Sequence, residues 1–218
     1  MDYRNNYMKY YQFQKKIENF PYFSLKDLEL ILRTKLNKSL KNQLSIWEKK
    51  KYILRIKKGL YLLSRPDILN NLEPMFLASK LYDPSYVSLE YALSLYEILP
   101  EIASNVTSIT TKKTAKFKTP LGNFVFRNIK FEGFAGYENK KCFFTSYNIA
   151  TPEKALVDYI YLNKKQMKTE KSFWQSLRIN LDQKFDLEKM LFYGKLFESK
   201  KTDLLLNSFK KYAQSEFY

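Results

Sequence analysis

Residues 24–64, SLKDLELILRTKLNKSLKNQLSIWEKKKYILRIKKGLYLLS, carry the pattern that most constrains this chain. Ser24 is placed to cap a helix, with Asp27 three residues on in a capping-box-like arrangement. Leu25, Leu28, Ile31 and Leu32 then mark one helical face. Thr34 to Asn37 form a turn, and Asn37 can cap a second helix from Lys38 to Lys50. Leu40, Leu44 and Trp47 recur at i, i+4, i+7 and must face the core. A helix over Tyr7–Phe20, closed by Pro21, precedes both. Behind them comes a hairpin of Tyr52–Ile56 and Leu60–Leu63 joined through Lys57-Lys58-Gly59, where Gly59 supplies the positive φ of a short loop. The plan is that of a helix-turn-helix followed by a β-wing.

At about 100° per residue, Lys38, Lys41, Asn42, Ser45 and Lys49 fall opposite the apolar stripe of the second helix. Long donors and small polar groups are the side chains that reach phosphates and base edges in a major groove. Arg55, Lys57 and Lys58 put positive charge near the hairpin tip, suited to the flanking backbone or minor groove. An ordinary solvated helix face, and lysines that protect a strand edge from aggregation, are the plainer readings of the same residues. The order of elements favours the nucleic-acid reading.

The net charge is +16, but lysine outnumbers arginine 32 to 6, a bias that an AT-rich genome produces by itself. Distribution is therefore the better test. Residues 1–64 hold 15 Lys/Arg against 5 Asp/Glu, a net of +10, whereas residues 65–218 hold 23 against 17, a net of +6. The charge concentrates on the helix-turn-helix.

At 218 residues, two small domains are expected. The reading is a 1–64 DNA-binding domain, a 65–73 linker from Arg65-Pro66 to Glu73-Pro74, and a 74–218 domain. In the last, residues 74–82 and 86–99 read as helices, the second capped by Ser88. Val106–Thr111, Lys116–Lys118, Phe124–Phe131 and Cys142–Asn148 read as strands. Thr151 caps a helix with Pro152 at its first position, and Ala155, Leu156, Tyr159 and Ile160 give its buried face. Helices near 172–180, 186–197 and 201–214 close the chain. The fold class is α+β: an N-terminal winged helix-turn-helix, then a mixed α+β domain with a mainly antiparallel sheet flanked by helices, and C-terminal helices.

Catalytic chemistry finds little support. There is no histidine, so a Ser-His-Asp triad is excluded. Gly194-Lys195 is followed by leucine, no P-loop precedes it, and no glycine is followed by serine. Asp27/Glu29 and Asp186/Glu188 are spaced i, i+2 in expected helices, where their side chains diverge. The single cysteine, Cys142, precludes an internal disulfide or a cysteine zinc cluster and reads as a buried thiol in a strand. The abundant aromatics suit core filling better than stacking on single-stranded bases. Neither a cofactor nor a metal is expected. No apolar run reaches the ~20 residues of a membrane span, and the first residues lack the apolar core of a signal peptide, so a cytoplasmic protein without membrane contact is expected.

Four phrases, in order and spacing, resemble the AbiEi-type antitoxins of bacterial phage-defence systems. They are Lys58-Gly59-Leu60-Tyr61; Tyr86-Val87-Ser88-Leu89-Glu90-Tyr91-Ala92-Leu93, leading to Ile98-Leu99-Pro100-Glu101; Val106-Thr107-Ser108-Ile109-Thr110-Thr111-Lys112-Lys113; and Ile149-Ala150-Thr151-Pro152-Glu153-Lys154-Ala155-Leu156-Val157-Asp158-Tyr159. They cover about residues 20–162. Glu97 departs from the pattern, standing where the family is expected to have glycine. The resemblance implies an autorepressor that binds inverted repeats in its own promoter DNA, paired with a nucleotidyltransferase-type toxin without a stable complex. It further implies that the second domain carries the antitoxic function, for which Lys112, Lys113, Glu153, Lys154 and Asp158 are the faces to test. The rivals are a stand-alone winged-helix transcription factor with a ligand- or partner-sensing second domain, and a nucleic-acid-processing enzyme.

Overall fold

A computed structural model describes residues 8–181 and 185–216. Tyr7, where the first helix is expected to begin, lies outside them. The chain divides into two compact units, residues 1–72 with 119–121, and residues 73–118 with 122–218.

Unit 1 runs α1 (Tyr10–Lys16), β1 (Tyr22–Ser24), α2 (Leu25–Leu32), α3 (Lys38–Lys49), β2 (Ile53–Lys57), β3 (Leu60–Leu63) and α4 (Pro66–Leu69). Caps account for the helix starts. Gln12 Oε1 accepts from the Lys9 amide at 3.1 Å, and Ser24 and Asp27 exchange hydrogen bonds as a capping box. The Asn37 side chain accepts from the Leu40 amide at 2.8 Å. β1 was not expected: its three residues pair antiparallel with Leu62, Tyr61 and Leu60, giving a sheet of order β1-β3-β2. Three residues are too few to show a period of two, so nothing local announces this strand.

Aromatic rings fill the core of unit 1. Phe13 lies 4.5 Å from Trp47 and 5.7 Å from Phe23, and Phe23 stacks on Tyr61 at 5.6 Å. Leu28, Leu44, Ile53, Leu62 and Leu63 close round them, all buried. The expected linker is more ordered than its composition implies: α4 starts at Pro66 and buries Ile68.

Unit 2 is mixed α+β. Its elements are α5 (Pro74–Leu81), β4 (Ser85–Val87), α6 (Leu89–Leu95), β5 (Val106–Thr110), β6 (Ala115–Thr119), β7 (Gly122–Asn128), β8 (Tyr137–Lys141), β9 (Ser146–Ala150), α7 (Pro152–Asn163), α8 (Lys171–Ser176), α9 (Leu187–Lys195) and α10 (Lys200–Glu216). The sheet order is β6-β7-β5-β4-β9-β8. Pairing across the chain is mainly antiparallel, but β5 runs parallel to β7 and β4 to β9 in the middle of this sheet.

Four expectations fail here. Residues 85–87 form a strand, not the start of a helix; all three are buried, so both faces of β4 are covered and its polarity pattern carries no period. Phe131 lies in a single 3-10 turn, not in β7. Cys142–Phe144 lie in the connection between β8 and β9, leaving Cys142 only half-buried and Phe143 exposed. Asp186, expected inside a helix, is instead the N-cap of α9, accepting from the Glu188 and Lys189 amides at 2.9 Å each.

With five glycines in the chain, helix ends are made from other residues. Arg33, Lys51, Glu97, Arg178 and Glu198 all sit at positive φ just beyond helix C-termini, where glycine is the usual choice. The sequence pattern therefore marks helix starts better than helix stops.

Candidate nucleic-acid interface and a buried ion pair

The two faces of α3 separate cleanly. Leu40, Leu44 and Trp47 are buried, as expected, together with Gln43, whose side-chain amide donates to the Met8 carbonyl at 2.7 Å. Lys38, Lys41, Asn42, Ser45 and Lys49 are all exposed. On a helix of 12 residues these five positions share an arc of roughly 100°, one continuous polar strip. Tyr10 braces the inner side, its ring 5.6 Å from Trp47 and its hydroxyl donating to the Tyr52 carbonyl at 2.9 Å.

The hairpin that follows turns through Lys58-Gly59, with Gly59 at φ 81°. A bulge between Arg55 and Lys57 breaks the register with β3 and keeps Ile56 buried. The Gly59 carbonyl accepts from the Leu25 amide at 3.1 Å, which ties the turn to the start of α2. The three hairpin cations are not equivalent. Arg55 and Lys58 are exposed, whereas Lys57 is half-buried and has a partner of its own. Seven of the eight expected contact residues of unit 1 thus face water.

The candidates of unit 2 separate differently. Lys112 and Lys113 lie in an exposed loop after β5, where the Lys112 ammonium bonds the Asp83 carbonyl and stands 5.6 Å above the Tyr82 ring. The Lys113 carbonyl accepts from the Tyr82 hydroxyl at 3.0 Å.

Glu153, Lys154 and Asp158 correct the expectation of an accessible face on α7. All three are buried, Lys154 and Asp158 completely. Spaced i, i+4, Lys154 and Asp158 form an ion pair. The second carboxylate oxygen of Asp158 accepts from the Tyr86 hydroxyl at 2.9 Å and from Ser88 Oγ at 2.8 Å. The ammonium also lies 4.8 Å from the Phe197 ring centroid. Burial pulls the Lys154 pKa down and pushes the Asp158 pKa up, and each charge opposes the other's shift. Burial, and then the Asp158 charge, hold the Tyr86 hydroxyl well above its ordinary value, so it remains a donor. Glu153 is paired with Lys189 at 3.1 Å and accepts from the Asp186 amide at 3.4 Å. This group joins α7 to β4 and the start of α9, with Glu153, Lys154 and Asp158 turned away from solvent.

Sequence reasoning missed the burial because charged residues spread over the first two turns of a capped helix look like a solvated face. The one available signal was Tyr86 and Ser88, polar residues in and just after a strand short enough to be fully covered. Unit 2 also holds an open cleft of about 660 Å³ lined by Glu90, Glu101, Arg127, Tyr159, Leu177 and Arg178 among others, none of which the sequence marked as a site residue.

No protein-family model matches the chain, and no curated protein matches it. Among the described residues, no helix is long and apolar enough to cross a membrane.

Proposed function

We propose that this chain is a non-enzymatic DNA-binding antitoxin and autorepressor of a bacterial toxin-antitoxin operon, acting in the cytoplasm. Unit 1 is then a winged helix with α3 as its recognition helix. The observation that carries the DNA reading is the polar strip of Lys38, Lys41, Asn42, Ser45 and Lys49 opposite a buried apolar stripe, followed at once by a hairpin bearing Arg55 and Lys58. The strip enters the major groove and the hairpin holds the flanking phosphates. The antitoxic role and the nucleotidyltransferase-type toxin rest on the sequence resemblance.

The test is binding to the DNA upstream of the chain's own gene at several salt concentrations. Neutralising about six phosphates gives a log–log slope of roughly −5. Lys41→Glu should abolish the shift of that DNA while the melting curve stays in place. A flat salt response, or a variant that binds as before, sinks the reading. Residues 112–113 are the remaining exposed candidates for the antitoxic role, and growth rescue from the toxin that survives Lys112→Glu/Lys113→Glu removes them.

A second reading, a winged-helix regulator whose other unit senses a ligand, is favoured by the cleft of unit 2. Its volume falls in the ~300–1,000 Å³ range of small-molecule sites.

A further inference from the structure

Unit 2 contains 22 basic residues, 20 of them lysine, and its two arginines, Arg127 and Arg178, both line the same cleft. No lysine lines it. Two basic residues drawn blindly from those 22 would both be arginine only about once in 200 trials, so lysine-rich composition does not account for the pair. Lysine supplies positive charge equally well. What arginine adds is a planar fork of donors that fits an oxyanion through two parallel hydrogen bonds.

The rest of the lining fits the same purpose. Arg127 projects from β7 and is half-buried, and Arg178 follows α8 and is exposed. Glu90 and Glu101 lie in the same cleft, yet among the described residues no ion pair joins either carboxylate to either guanidinium. The four charges are therefore not spent on one another. Tyr159, Leu89, Leu99 and Leu177 add apolar surface to the lining. Leu89 holds φ 61°, a left-handed conformation that a bulky side chain rarely adopts, immediately after Ser88, which Asp158 fixes from beneath.

We propose that this cleft binds a nucleoside monophosphate, its phosphate held by Arg127 and Arg178 and the amino and imino groups of its base donating to Glu90 and Glu101. A phosphate dianion matches two guanidiniums where a single carboxylate would leave one unbalanced. The carboxylates are acceptors only, so they select bases that offer N–H donors. The cleft is large enough for both halves of such a ligand. The inference rests on the second reading above, that unit 2 takes a ligand, and names the ligand class.

The test is calorimetric titration of the full chain with the adenosine, guanosine, cytidine and uridine monophosphates and with inorganic phosphate. Saturable binding is expected for the amino-bearing nucleotides, at least tenfold tighter than for inorganic phosphate. Arg127→Lys and Arg178→Lys, which keep the charge and lose the fork, should each weaken it tenfold or more, with unchanged thermal unfolding as the control for folding. Glu90→Gln should narrow the differences among bases while leaving phosphate-dependent binding in place. Binding that ignores both arginine substitutions overturns this site and leaves the ligand-sensing reading standing. Inorganic phosphate binding as tightly as the nucleotides overturns the nucleoside assignment. No saturable binding by any probe overturns the inference and the second reading together.

Discussion

Lys154 and Asp158, one turn apart on α7, form an ion pair that water does not reach, and the same carboxylate accepts from the hydroxyls of Tyr86 in β4 and Ser88 just after it. A buried pair of this kind contributes less to net stability than its contacts suggest, because desolvating two charges offsets their attraction. Losing one partner is another matter.

Lys154→Met leaves a buried carboxylate without its cation. The Asp158 pKa, already raised by burial, then loses the charge that opposes the rise. A carboxyl whose folded pKa exceeds its unfolded value contributes stability that is full below the unfolded pKa of about 3.9 and is lost as pH rises through the folded value. The variant should therefore be less stable at pH 8 than at pH 5, against a flatter wild-type profile. Urea unfolding at the two pH values measures this, and a variant as flat as wild type contradicts it. The total loss at neutral pH should be about 3–5 kcal/mol.

On the proposed DNA-binding reading, Asn42 and Lys58 should separate base reading from phosphate contact. Asn42→Ala should relax preference at one operator position by about 1–3 kcal/mol, since a carboxamide pairs with adenine through two hydrogen bonds. Lys58→Ala should instead weaken all sequences alike and make the salt slope shallower by about 1. Binding competitions against point-substituted operators distinguish the two effects, and identical behaviour of the variants places the base contact elsewhere.

Glu97 occupies a left-handed backbone position, φ 57°, after the C-terminus of α6. Its amide bonds the Ser94 carbonyl at 3.1 Å, so the conformation belongs to the helix end and not to a side-chain contact. Glu97→Gly removes the Cβ strain at some cost in unfolded-chain entropy, and should stabilise by about 0.5–1 kcal/mol. Calorimetry should show Tm higher by roughly 1–4 °C for a chain of this size. A lower Tm means that the Glu97 side chain has a stabilising role.

Gly136 has the opposite character. At φ 75°, a Cβ there would stand 2.7 Å from the Tyr193 ring and 3.0 Å from the Lys154 Cγ. Gly136→Ala should destabilise by about 2–4 kcal/mol through backbone strain and crowding together. Because Lys154 is one of the two crowded neighbours, the substitution should also disturb the buried pair, and the loss should shrink in a Tyr193→Ala background. Additive losses would show that backbone conformation alone carries the cost.

Much of unit 1 was legible in the sequence because its signals are local. A capping side chain, an i, i+4, i+7 stripe and a glycine at a hairpin turn each act within a few residues, and Ser24, Asn37, α3 and Gly59 stand as those rules require. The start of α7 at Thr151-Pro152 was legible for the same reason. The exposed strip on α3 follows directly, since burying one face of a helix exposes the other.

Tertiary structure decided what depends on pairing between distant residues. β1 and β4 exist because partners at Leu60–Leu62 and Ser108–Thr110 complete their hydrogen bonds, not because three residues prefer to be extended. Lys154 and Asp158 read as charges on a solvated face of α7, and only the arrival of β4 and the aromatic ring of Phe197 makes that face the inside of the unit. The arginine cleft depends likewise on segments from residue 89 to residue 178 meeting at one place. Local rules specify which side of an element is apolar; burial of a polar group depends on what packs over it, and that information is spread along the whole chain.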